Sequence, residues 1–465
     1  MTVDERWVTG PGLLCVIIVL MLWMTLRDRD RQIPFFDAGV FCALAILVYT
    51  VYPLINYWAG GLQFGPLSDP RLQLYNISSE ELGFFHFRHV LYLFSFVVFY
   101  LAFRGSGGVE IGNIRAPRRS TRDVIIFFFL LLTGYFLLLQ LMTGANYNTS
   151  YESDGFTKNL SVLWSLPTLL LQISSKLYNI LFVFKLALLA LVIERSRSQK
   201  WLFVLILWVA AEIMLAFFLK GGRSGLVMFL VATAMFYHRM IRPLTGKFLL
   251  VSGFLLFAFF LLFGLYRGDS GPFQADWSLT KASIFSGSNE FQALLGTAYD
   301  VFQRKMAGVD LPWFLHINDF IAILPPQQLM PFEKVGAAEW YMGEIGFGGT
   351  AQGLMWGVIS QSIVGWDWLE LALRGAILGL ILAKLHRLYL KYQTSFLATL
   401  LYVYLCLRVY YTFRETTFSL LSNFVWEIIP FYLLLCIGKA IISRKVARQT
   451  DLSEVKFAVK HNGNN

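Results

Sequence analysis

VIIFFFLLLTGYFLLLQLMT, running from Val124 to Thr143, is a stretch of 20 residues without a single charge. As an α-helix rising 1.5 Å per residue it reaches about 30 Å, the thickness of the hydrocarbon layer of a bilayer. A core helix of a soluble protein shows an apolar stripe and a polar face, but this run is apolar all round. Arg118, Arg119 and Arg122 stand just ahead of it and Asn146 and Asn148 just beyond. The pattern reads as one membrane crossing with a cationic entrance.

Working outward from this helix, comparable runs recur near 11–26, 34–58, 84–103, 166–193, 201–219, 225–240, 248–266, 367–385, 395–412 and 419–442. With 123–144 they make about eleven spans and predict an all-α polytopic membrane protein, a single integral domain over 1–465. The composition agrees: 57% of the 465 residues are hydrophobic and 15% charged, with mean hydropathy +0.59. Soluble domains have nearer 45–50% apolar and about 25% charged residues, which excludes an ordinary soluble enzyme. The 43 Phe, 21 Tyr and 13 Trp suit lipid-facing and interfacial positions.

A formal charge of +10 invites a nucleic-acid reading, but in a membrane protein the distribution matters first. Of the 39 Lys and Arg, 23 fall in the segments Arg27–Gln32, Arg104–Arg122, Glu194–Lys200, His238–Lys247, Lys384–Tyr392 and the tail from Lys439. These are alternate connections of the predicted helices. The positive-inside rule makes that side cytoplasmic, so the charge is a topology signal and no nucleic-acid partner is expected. An odd span count then puts the N-terminus outside and the tail 443–465 in the cytoplasm. The first apolar run lacks a basic leader, so no cleavable signal peptide is expected.

Metal and disulfide chemistry have little support. Cys15, Cys42, Cys406 and Cys436 all fall in predicted helices, and no CxxC or HExxH spacing occurs. The expectation is no metal and no cofactor.

One connection is long. Residues 267–366 form a large outer loop, punctuated by Trp277, Trp313, Trp340 and Trp356 and containing a helical-looking stretch from Glu290 to Lys305. Ordered loops of this length usually carry function. Tryptophan offers a flat apolar face suited to sugar rings, and carboxylates or histidine can accept hydroxyl protons. The candidates are Glu290, His316, Asp319, Glu333, Glu339 and Glu344.

Arginines give a sharper signal. Arg223 sits in the tight link Lys220–Gly225 (KGGRSG), Arg267 ends the helix that opens the loop, and Arg374 lies inside the helix that closes it. Arg408 lies within an apolar run, with Arg414 following. A charge at the membrane centre costs at least about 2.5–3.5 kcal/mol, so it faces a polar cavity and has a purpose. Guanidinium binds phosphate bidentately, which suits a diphosphate; the alternative for each is snorkelling or pairing with an acid, as for Arg414 with Glu415 or Glu427. Lys176, Lys185 and Glu212 are intramembrane as well, with their pairing open.

The ordered set GGRSG (221–225), LYRGD (265–269), SGSNEFQALLGTAYD (286–300), FIAILPPQQLMP (320–331), GFGGTAQGLMWGVISQSIVGWDWLELALRGAILG from Gly346, and RETTFSLLSNF (414–424) resembles the Wzy-type polysaccharide repeat-unit polymerases. This family includes the O-antigen and enterobacterial common antigen polymerases, and the order and spacing agree over most of the chain. The resemblance implies a GT-C-like fold and glycosyl transfer at the periplasmic face. Donor and acceptor are then both oligosaccharide units on undecaprenyl pyrophosphate, drawn from membrane lipid, with a chain-length regulator as a further partner.

By that resemblance Arg223, Arg267 and Arg414 match arginines that would hold the diphosphate, and Arg408 joins them on its membrane position alone. Glu290 occupies the place of an acid and His316 is the candidate base, since histidine ordinarily titrates near neutrality. Gly357 and Ser360 stand where many members carry an acid or serine, so no catalytic acid is carried over there. Gly346–Gly353 reads as a re-entrant segment lining a cavity. An O-antigen ligase would share these features, and a transporter of lipid-linked sugars is the non-enzyme alternative, though the inverted repeats expected of one are not evident.

Overall fold

The computed structural model describes residues 3–30, 35–60, 79–143, 168–218, 223–249, 251–255, 258, 290–321, 323–324, 331, 335–345 and 356–442. Among these the chain is helical, with no strand and one isolated bridge between Arg115 and Ser395. The long helices are α1 (Val3–Asp30), α2 (Ala38–Gly60), α3 (Ser79–Phe103), α4 (Arg119–Thr143), α5 (Thr168–Arg195), α6 (Gln199–Phe218) and α7 (Arg223–Met240). After Gly246–Leu255, a short apolar helix, come α8 (Glu290–Met306), α9 (Asn318–Ile321), α10 (Ala337–Glu344) and α11 (Gly357–Val364). The chain closes with α12 (Trp368–Tyr392), α13 (Phe396–Arg408), α14 (Tyr411–Arg414) and α15 (Ser419–Ile442).

Among the described residues, six helical stretches are long and apolar enough to cross a membrane: Thr9–Asp30, Glu80–Phe103, Arg119–Leu138, Lys176–Arg195, Phe396–Arg414 and Ser419–Ile442. They define an α-helical multi-pass membrane protein. Each of the eleven stretches expected as spans carries helix, but some are shorter or more polar than these six; the eighth is described over Gly246–Leu255. The bundle has an inside-out surface, as a lipid solvent requires. On α1, Cys15, Val19, Leu22 and Leu26 are buried while Leu13, Ile17, Leu20, Met21 and Met24 are exposed. All four cysteines are free thiols.

The centre of the bundle is α12 packed along α3. Gly375 and Gly379, one turn apart on α12, make this approach possible: a Cβ at either would run into the backbone of α3, at the carbonyls of Tyr92 and Phe96. Close backbone contact through small residues is how helices gain packing where lipid removes the hydrophobic driving force.

The basic loops gather at one end. Gly112 donates its N–H to the Arg239 carbonyl at 2.9 Å, Arg115 to that of Thr394 at 2.9 Å, and Arg197 its guanidinium to Met240 at 3.0 Å. Asp37 caps α2 at this end, accepting the N–H groups of Gly39 (2.9 Å) and Val40 (3.1 Å). Buried Arg104 pairs with Asp37 at 2.9 Å and with Asp30. The alternation of charge in the sequence is therefore realised as a geometric sorting of the connections. The opposite end holds the described segments within 290–366, a stretch that the sequence assigns to the outer loop.

Candidate functional site

At the end opposite the basic loops, three short elements set one histidine. The 3-10 turn Trp313–Leu315 ends on His316, whose N–H is bonded to the Trp313 carbonyl at 3.1 Å. The His316 carbonyl in turn accepts from Gln361 Nε2 at 2.8 Å and Arg374 Nη2 at 3.1 Å. The backbone of this residue is thus fixed by α11 and α12. Its ring Nδ1 lies 2.9 Å from Glu370 Oε2, off the angle of a good hydrogen bond in this state. The imidazole is 33% exposed while Glu370 is buried.

Glu370 belongs to a charge cluster. One turn along α12, Arg374 Nε reaches Glu370 Oε1 at 2.5 Å, and Arg374 Nη1 reaches Asp319 Oδ2 at 2.6 Å. Asp319 also accepts from Gln361 Nε2 (2.9 Å) and from the Phe418 N–H (3.0 Å), which ties α9 to the segment before α15. All three charged groups are buried. Two carboxylates share one guanidinium, and Oε2 of Glu370 faces the imidazole.

The corner between α11 and α12 carries this geometry. Asp367 has φ +49° and ψ −113°, a conformation that costs roughly 1–3 kcal/mol for a residue other than glycine. Arg88 holds it there, with Nε 2.8 Å from Oδ1 and Nη2 2.7 Å from Oδ2. The Arg88 guanidinium is itself buried over the rings of Trp368 (4.5 Å), Phe302 (4.8 Å) and Phe85 (5.1 Å). From α8, the Lys305 ammonium donates to the carbonyls of Ile363 and, at 3.1 Å, Gly365. Gly365 has no room for a side chain, because a Cβ would overlap Glu370 Oε2 and His316 Nδ1.

A second polar cluster lies inside the membrane-spanning helices. Arg408 Nη2 is 2.7 Å from Glu427 Oε2, and the Tyr404 hydroxyl donates to the same oxygen. Glu427 is carried on a π-helical turn, Phe424–Ile428, an irregularity common at functional sites. The Lys176 ammonium lies 5.4 Å from the centre of the Trp426 ring. Deeper in, Lys185 and Glu212 pair at 2.6 Å, which answers a question the sequence left open.

The candidate site residues fare differently. His316 is placed in the cluster just described. Arg408 is bound to Glu427, the acid that the sequence offers to Arg414; Arg414 stacks on Tyr411 at 5.5 Å. Arg223 and Glu290 are the first residues of α7 and α8. Arg267 lies outside the described residues, as do Glu333 and Gly346–Gly353.

The helix Glu290–Met306 stands where the sequence suggests one. Asp319 enters the cluster as a buried partner of Arg374, whereas Glu339 and Glu344 are exposed. Near Glu344, Tyr341 donates to Asp300 at 2.9 Å, and burial followed by that carboxylate pushes its phenol well above the ordinary value. Arg88, Gln361, Asp367 and Glu370 escape the sequence reading; only the four-residue step from Glu370 to Arg374 on an apolar helix could have flagged that pair. Among the described residues no group of three His, Cys, Asp or Glu is placed to hold a metal ion. No protein-family model matches the chain, and neither a curated protein nor a solved structure matches it.

Proposed function

We propose that this chain is a membrane glycosyltransferase that polymerises oligosaccharide repeat units carried on undecaprenyl pyrophosphate, at the outer face of a bacterial inner membrane, for O-antigen or exopolysaccharide. The observation that carries the reading is the half-buried His316 with its Nδ1 2.9 Å from buried Glu370, at the end of the bundle opposite the basic loops. Eleven spans with the N-terminus periplasmic place that end outside by the positive-inside rule.

In the reaction, a hydroxyl of the acceptor unit attacks the anomeric carbon of the donor chain. The bond from that carbon to the diphosphate oxygen breaks, and undecaprenyl pyrophosphate leaves with the electron pair. His316 takes the hydroxyl proton on Nε2, with Glu370 beside the other nitrogen, and later releases it to solvent. Arg223, Arg267 and Arg414 supply positive charge to the leaving diphosphate. Arg408 contributes there if Glu427 yields it, an exchange of one anion for another; Glu290 stands as a partner for the arginines or an auxiliary base.

A deletion strain tests the reading through its surface glycan. Lipopolysaccharide capped with single units, or free repeat units, is the expected phenotype. Accumulated long lipid-linked polymer would overturn it and indicate a ligase.

A further inference from the structure

Trp366 is 66% exposed and occupies the corner between α11 and α12. Its ring centre is 6.1 Å from that of His316, and its backbone N–H donates to Glu370 Oε2 at 3.1 Å, the same oxygen that faces His316 Nδ1. One carboxylate oxygen therefore lies against both the Trp366 backbone and the imidazole. From these contacts we infer that Trp366 is the stacking platform for a hexopyranose ring of the acceptor, holding a sugar hydroxyl toward His316. This rests on the proposed glycosyl transfer and adds the residue that positions the sugar.

An exposed tryptophan at this depth also suits a headgroup anchor, and the corner decides between the two. A lipid anchor needs only depth, and lipids accept any ring orientation. The Trp366 backbone, by contrast, is over-determined. Asp367 beyond it is kept at φ +49° by the bidentate Arg88 pair, Lys305 holds the Gly365 carbonyl before it, and Gly365 leaves no space for a side chain beside His316 and Glu370. Orientation maintained against backbone strain is what a reacting group needs, since misplacement by about 1 Å costs rate. The apolar face of a pyranose can lie on the indole while its equatorial hydroxyls remain at the rim, where the half-exposed imidazole is.

The experiment uses the full chain in lipid nanodiscs, with oligosaccharides released by mild acid from the host's surface polysaccharide as the probe. Saturation-transfer NMR reports which sugar protons touch protein. Wild type and Trp366→Phe are expected to saturate the ring C–H protons, and Trp366→Ala to weaken binding about tenfold or more. The melting temperature of each variant in the same discs shows that it is folded. Unchanged saturation in a folded Trp366→Ala, or none in wild type, would overturn the platform. Sugar binding by wild type without polymer formation from lipid-linked units would leave the platform standing and remove the polymerase.

Discussion

His316 Nδ1 and Glu370 Oε2 stand 2.9 Å apart, one at the end of the turn Trp313–Leu315 and the other buried at the start of α12. In the proposed reaction this histidine is the base. His316→Ala should lower the rate of polymer formation about 10²–10⁴-fold, the contribution of a general base, with membrane abundance unchanged. Initial rates on lipid-linked repeat units measure this, and a loss under about tenfold would make His316 peripheral.

Arg223→Ala should abolish polymer while leaving insertion and abundance intact, since its role is assigned to the leaving diphosphate and its position is the first residue of α7. Gel analysis of surface glycan, beside an immunoblot of the membrane fraction, reads both. Polymer of wild-type length would refute the role.

Asp319→Asn removes one of the two carboxylates that share Arg374 and leaves Glu370 as its buried counter-ion. Loss of such a buried pair costs up to about 3–5 kcal/mol, so the melting temperature of the protein in detergent should fall by several degrees. Adding Arg374→Met should deepen the loss, because Glu370 is then buried without a cation. A double variant as stable as Asp319→Asn alone would show that Arg374 is not what balances Glu370.

At the other end, Asp37 is fully buried. It pairs with Arg104 at 2.9 Å and accepts hydrogen bonds from the Tyr100 hydroxyl at 2.7 Å and from the N–H groups of Gly39 and Val40. Asp37→Asn removes a buried partner of Arg104 and should lower the melting temperature by several degrees. An unchanged melting temperature would contradict the assignment.

What could be read beforehand follows from which forces act locally. The Val124–Thr143 run needs no partner to declare itself, because a charge-free helix of that length has only one favourable solvent. The basic loops likewise sort by counting, and the structure joins Gly112 to Arg239 and Arg115 to Thr394 as the alternation requires. The site depends on pairings far apart in the chain. Arg88 looks like one more polar residue on α3 until Asp367 turns back to meet it, and Glu370 acquires meaning only when the turn at Trp313–Leu315 delivers His316. Arg408 shows the converse. Its cost in hydrocarbon correctly marks it as special, but the same cost means that it comes with a partner, Glu427, already bound.

The central claim is tested most directly by incubating the purified full chain with a defined undecaprenyl-pyrophosphate-linked repeat unit and separating the products by gel electrophoresis. The account predicts a ladder of lipid-linked polymer with wild type and none with His316→Ala. Unconverted repeat units with wild type, or glycan moved only onto an added lipid A core, would contradict it.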